Sequence, residues 1–214
     1  MEKIRLLARA ILAGVMISVG GTVFLMSPDK VSGAVFFCVG LFSVCVFGLA
    51  LYTGQTGYFL DGNIGKNAIN LAIIWIGNLV GCLAVGLMLR WSGALAETAE
   101  ISVAARLAKP LGYSFLTAIM CGVLMYIAVD NFRHGSSEIG KFVGIMLCVP
   151  AFILAGFEHS IADMFYIAAA RGSGLFGGDT LAFLGVVSAG NLVGAVLFAK
   201  LRAIGNSTLF GDKK

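Results

Sequence analysis

Ala155-Gly156-Phe157-Glu158-His159-Ser160 lies inside an apolar run that extends from Phe142 to Ala170. It sets a carboxyl beside an imidazole at a depth where a helix would cross a bilayer. Ionisable groups at the bilayer centre cost ~2.5 to ~17 kcal/mol, depending on how the cost is measured, and so default to a functional reading. The run is too long for one simple span, and the Glu-His stretch interrupts it. The chain's other histidine, His134, falls in a segment that reads as a polar loop, Asp130 to Lys141.

Working outward, the 214 residues are 59% hydrophobic and 12% charged, with a mean hydropathy of +0.96. A soluble domain is about half apolar and a quarter charged. The composition is that of an integral membrane protein. At about 20 apolar residues per spanning helix, the length allows about six spans and no soluble domain. Lys3, Arg5 and Arg9 precede an apolar run from Ala10 to Met26 that fits a first spanning helix better than a signal peptide. The net charge of +4 reflects loops at the cytoplasmic face rather than a nucleic-acid partner. Cys38, Cys45, Cys82, Cys121 and Cys148 lie in apolar runs without metal-ligand spacing and read as small core residues. No metal or cofactor is expected.

A second interruption resembles the first. The apolar stretch from Val31 to about Gly62 is broken by Leu51-Tyr52-Thr53-Gly54-Gln55-Thr56-Gly57. This reads as a half-helix, an irregular loop and a second half-helix. Non-helical backbone at membrane depth persists only where protein buries it or it lines a watery cavity. The remaining spans are expected at about Ile4–Met26, Asn67–Leu89, Leu111–Val129 and Leu181–Leu201. Arg90 to Lys109 reads as a connection, and Arg171 to Asp179 as a glycine-rich loop.

Gly77-Asn78-Leu79-Val80-Gly81 recurs as Gly190-Asn191-Leu192-Val193-Gly194, each time after an interrupted span. The reading is one channel domain over 1–214, built as two inverted three-helix repeats, about 1–92 and 107–204. The class is an all-α membrane protein of six transmembrane helices with helices 2 and 5 broken. Broken segments at matching positions point to a transport site near the midplane. The alternative is that GNLVG is only a small-residue packing pattern.

Lys and Arg set the orientation. With the amino terminus inside, Lys3, Arg5, Arg9, Lys66, Arg133, Lys141, Lys200, Arg202, Lys213 and Lys214 face in. Lys30, Arg90, Arg106, Lys109 and Arg171 face out. This imbalance predicts both termini in the cytoplasm.

His159 has three possible roles: a proton donor or relay in a pore, a metal ligand, or a structural imidazole tied to a carbonyl. No second histidine or cysteine stands at i+3 or i+4, and Glu158 with Asp163 makes a poor metal shell. Glu158 fits support or capping at a helix start. Asp163 either pairs with another helix or faces a subunit contact. Thr53 should approach His159 if the two broken helices cross, or else belongs to a turn. Phe37, Leu41, Tyr52 and Phe152, near the breaks, suit either constrictions or plain packing. Arg106 and Lys109 either gather anions at a pore mouth or snorkel to lipid head groups.

The chain resembles the formate/nitrite transporter family of anion channels along nearly its whole length. The resemblance is carried by Ala10 to Ser18, by Leu51-Tyr52-Thr53-Gly54, by the two GNLVG copies, and most specifically by Ala155 to Phe165. It implies an aquaporin-like architecture, a homopentamer in the cell (inner) membrane and one pore per subunit. By position it implies that His159 is the central pore histidine and Thr53 the threonine facing it. Phe37 and Phe152 would form the outer constriction, Leu41 and Tyr52 the inner one, and Asn191 would face the pore. Three positions depart from the family pattern. Gly122 follows Cys121 where Asn is frequent, Arg106 replaces a usual lysine, and Asp163 stands where formate channels often have asparagine.

The function expected is passage of small monovalent anions of weak acids, such as formate, nitrite, hydrosulfide or short carboxylates, with protonation near His159. A channel for water or a small polyol is the alternative. An intramembrane enzyme would need a nucleophile or metal that no residue supplies.

Overall fold

The computed structural model describes residues 1–172 and 177–205. All of its regular structure in that range is helical: α1 (Glu2–Met26), α2 (Lys30–Val46), α3 (Tyr52–Gln55), α4 (Ile64–Leu89), α5 (Gly93–Leu107), α6 (Leu111–His134), α7 (Glu138–Ala155), α8 (Ser160–Ala169) and α9 (Gly178–Gly205), with a 3-10 turn at Thr56–Tyr58. Among the described residues, α1, α4, α6, α7 and α9 are long and apolar enough to cross a membrane, while α2 and α8 are shorter apolar helices. Phe36, Phe47, Leu116 and Leu147 are exposed, as helices facing lipid allow.

Two helix pairs carry the packing, and glycine lets their backbones touch. A Cβ on Gly14 of α1 would lie 2.2 Å from the Asn78 carbonyl oxygen of α4, and one on Gly81 would lie 2.2 Å from that of Ile11. In the pair α6 and α9, a Cβ on Gly122 would meet the Asn191 oxygen at 2.1 Å, and one on Gly194 the Ile119 oxygen at 2.0 Å. Small residues allow such approach where lipid offers no hydrophobic drive to helix pairing. Gly122 is thus a packing residue, where any side chain would meet the α9 backbone.

Both apolar runs that read as interrupted end their first helix in the same way. At Gly48 (φ 59°) and Gly156 (φ 72°) the backbone turns left-handed, a conformation only glycine adopts without strain. The following amides then bond back onto the helix: Gly48 N–H to Cys45 O (3.2 Å) and Leu49 N–H to Val44 O (2.8 Å), and Gly156 N–H to Ile153 O (3.1 Å) and Phe157 N–H to Phe152 O (2.9 Å). This is the Schellman closure of a helix.

Three expectations are revised. The Arg90–Lys109 connection contains a 15-residue helix, α5, because Ala, Leu and Glu dominate it and no Pro or Gly interrupts it after its start. The segment from Asp130 to His134 completes α6, and the polar loop begins at Gly135. After the first break the chain forms one α turn and one 3-10 turn, not a half-helix. Residues 173–176 of the glycine-rich loop, and Lys213 and Lys214, lie outside the described residues.

Candidate functional site

His159 is the N-cap of α8. Its Nδ1 accepts the Ala162 N–H at 3.0 Å. Its Nε2 lies 2.9 Å from Thr53 Oγ1 at the start of α3. The two breaks therefore meet, as anticipated, and they meet through these two side chains. Because Nδ1 is an acceptor, the neutral ring carries its proton on Nε2 and donates it to Thr53. An imidazolium would turn a second N–H against that of Ala162 and lose the cap. Both side chains are buried, His159 at 2% exposure. Phe152 stacks on the imidazole (centroids 5.4 Å apart, 22° between planes), and Phe37 meets Phe152 edge-on at 6.0 Å. Leu41 is fully buried in the same core.

A cavity of about 210 Å³ opens on one side of His159. Lys30, Arg106, Lys109, Phe152, Phe157, Glu158 and Asp163 share its wall. Glu158 does not cap the helix. Its Oε1 accepts Lys109 Nζ at 2.7 Å, and its Oε2 lies 3.1 Å from Arg106 Nε. The same Nε donates to Asp163 Oδ1 at 3.0 Å. Two buried carboxylates thus anchor two cations, and Asp163 Oδ2 has no partner. Arg106 also stacks over the Tyr166 ring, 4.8 Å from its centroid, on the end of the missed helix α5. Snorkelling to lipid is not its geometry, and Asp163 is resolved as an intramolecular partner of a neighbouring helix.

A wider cavity of about 640 Å³ is bordered by Arg9, Gln55, Tyr58, Asn67 and Arg133. A void of about 30 Å³ adjoins it, walled by Leu51, Gly54, Val129 and Phe132 among others. Leu51 and Val129 were not singled out from the sequence. Only their neighbourhood to a break could have suggested them.

Two expected site residues point elsewhere. Tyr52 sends its hydroxyl to Ser188 O on α9 (3.1 Å) and lines a separate groove with Trp75 and Leu192. Asn191 is fully buried and spent on backbone. Its Oδ1 accepts Ser160 N–H (3.0 Å), and its Nδ2 donates to Ala118 O and Glu158 O (2.9 Å each). It braces His159 from both flanks and has no donor left for a passing ion. Among the described residues no cluster of three or more His, Cys, Asp or Glu could hold a metal.

The fold and this meeting of two helix breaks in a sheath of apolar helices define a multi-pass membrane protein. The model of the formate/nitrite transporter family matches residues 1–204, and the chain belongs to that family, one of transporters rather than enzymes. It is 34% identical to a probable formate transporter of Methanothermobacter thermautotrophicus over 200 residues, 78% of this chain and 71% of that protein. It is 30% identical to the nitrite transporter NirC of Salmonella typhimurium over 180 residues, 77% of this chain and 66% of that one. A solved pentameric formate channel with formate bound has the same fold, with a TM-score of 0.80 at 23% identity, over 96% of this chain and 97% of that chain.

Proposed function

We propose that the chain is a channel for small monovalent anions of weak acids, which cross as the neutral acid past His159. The observation that carries this is the Nε2–H of a capped, apolar-stacked imidazole at the end of a cavity walled by Arg106 and Lys109. A weak acid with pKa near ~4 costs about 4 kcal/mol to protonate at pH 7. Carrying the bare anion through a dry apolar slit costs of order tens of kcal/mol in the Born limit. Neutralisation before the slit is the cheaper route.

The anion enters the cavity and takes the place of Thr53 as acceptor of the Nε2–H. This bond favours the anion at that point without moving a proton off the ring. The ring itself is a poor proton source, because giving up Nε2–H requires a second proton at Nδ1, where Ala162 N–H already donates. The proton therefore comes from water in the cavity, and Phe37, Leu41 and Phe152 pass the neutral acid on. These walls offer no hydrogen bonds, which argues against a polyol path.

The domain reading is one transmembrane unit over 1–214, in two inverted repeats. Asn78 and Asn191 bond equivalent backbone groups, Gly48 and Gly156 end equivalent helices, and the glycine contacts of α1 with α4 recur in α6 with α9. On this reading α2 with α3, and α7 with α8, are broken spans, which with α1, α4, α6 and α9 make six passes. Lys and Arg counts support cytoplasmic termini in an inner membrane, and the pentameric fold relative supports a homopentamer.

The test is uptake of labelled formate, nitrite, acetate and lactate into proteoliposomes across pH, for wild type and His159→Asn. Asparagine is a good N-cap, so the variant should fold. Flux of at least one of these anions with a pH profile that His159→Asn alters is expected. An unaltered profile sinks the role of His159. Liposome swelling in polyol without anion flux sinks the anion-channel reading.

A further inference from the structure

At the end of α1 remote from the His159 cavity, the first two turns of α1 and the first turns of α4 frame a cleft of about 620 Å³. Lys3, Arg5, Arg9 and Lys66 wall it, against one acid, Glu2. Glu2 reaches only Lys66, at 3.8 Å, and both side chains are mostly in solvent, where such pairs are worth little. Arg9 is fixed by donation from Nε to Gly48 O at 2.8 Å. The amino end of α4, capped by Asn63 Oδ1 on the Lys66 N–H at 2.9 Å, adds the positive end of its dipole. Leu6 and Ile69 line the same cleft, and Ile4 and Ile64 stand exposed near it at 72% and 50%.

Helix length fixes the depth of this cleft. α1 has 25 residues and α4 has 26, about 37 and 39 Å at ~1.5 Å per residue. A hydrocarbon core is ~30 Å thick. Each helix therefore overhangs by about five residues, and with basic residues at this end and an apolar run beyond, the overhang falls here. Lys3, Arg5 and Lys66 fall within this overhang, at head-group level, and Leu6 and Ile69 lie at its inner edge.

We propose that this cleft binds an anionic phospholipid, with the head-group phosphate among Arg5, Lys3 and Lys66 and an acyl chain along Leu6 and Ile69. The apolar rim selects a lipid over a free anion, which would leave it bare. The site is independent of which solute the channel passes.

The test is native mass spectrometry of the full chain with phosphatidylglycerol and phosphatidylcholine present together. Wild type should retain a tight phosphatidylglycerol that Lys3→Gln/Arg5→Gln/Lys66→Gln loses, with affinity down roughly a hundredfold for three cations near an anionic surface. The variant Arg90→Gln/Lys141→Gln, which removes cations elsewhere, should retain it. Thermal midpoints without lipid check that each variant is folded. Equal lipid retention in the triple variant overturns the proposal. So does equal protection by soluble glycerophosphate, which would mean a free-anion site, or an altered oligomer mass in the triple variant, which would mean a subunit contact.

Discussion

The two helix breaks are held by the same bonds and differ in what they present. Asn78 accepts Tyr52 N–H at 2.9 Å and donates to Ala10 O and Ala50 O at 2.8 and 2.9 Å. Asn191 makes the matching three bonds to Ser160, Ala118 and Glu158. The residue bracketed by the bonded pair is Leu51 in one case and His159 in the other. After the first break the chain turns only once before leaving, and Gly57 lies so close to Tyr126 that a Cβ would sit 2.1 Å from its ring. After the second it runs ten residues as α8, every one buried. The bracing bonds are common to both breaks, and the imidazole on which the proposed chemistry depends stands at only one of them.

The largest effect should come from the braces themselves. Asn78→Ala or Asn191→Ala strands three buried backbone groups, at about 1–3 kcal/mol each. Both variants should lower the thermal midpoint sharply or yield little folded protein by size-exclusion chromatography. The comparison requires the two losses to be similar. A mild Asn78→Ala beside a severe Asn191→Ala would break it.

Next in size is the ion cluster beside the second break. Arg106→Gln leaves Glu158 and Asp163 buried with Lys109 alone. Removing one member of a buried pair costs about 3–5 kcal/mol. The variant should be strongly destabilised, and adding Asp163→Asn should restore part of the loss in a double-mutant cycle of thermal midpoints. Absence of any coupling would mean that the carboxylates are already relieved by solvent.

Much of this was legible in the chain because membrane burial makes polar residues conspicuous. Glu158-His159 and Thr53 stand out from apolar runs, and both lie where the structure has its breaks. The repeated GNLVG falls in α4 and α9. The family resemblance implied that Asn191 faces a pore, whereas the glycines bring backbones near enough for it to bond them. Helix α5 escaped because a search for spans passes over fifteen mixed residues, although its alanine-rich composition carried the signal. The pairing of Arg106 and Lys109 with Glu158 and Asp163 joins residues about fifty positions apart, and no local pattern encodes it. Tyr52 was set beside Leu41 by position alone. Its hydroxyl instead needed an acceptor, and Ser188 O supplies one.

The smallest expected effect compares the starts of the helices that lead into the breaks. Asp29 caps α2, accepting Val31 N–H at 3.0 Å and Ser32 N–H at 2.9 Å. Ser137 caps α7, accepting Gly140 N–H at 3.0 Å. Ser137→Ala should cost about 1 kcal/mol, and Asp29→Ala should shift the thermal midpoint in the same direction. The two differ in charge. The backbone N–H of Ser32, with its side chain, holds the Asp29 carboxyl below its ordinary pKa. A group whose folded-state pKa is depressed stabilises the fold above the unfolded pKa, and that contribution fades as pH falls through the folded value. Thermal midpoints of wild type and Asp29→Ala should therefore converge on acidification below about pH 4, while the gap between wild type and Ser137→Ala stays constant. Convergence of both pairs would mean that acid weakens the whole fold and not this cap. Convergence of neither would mean that Asp29 acts through its shape and not its charge.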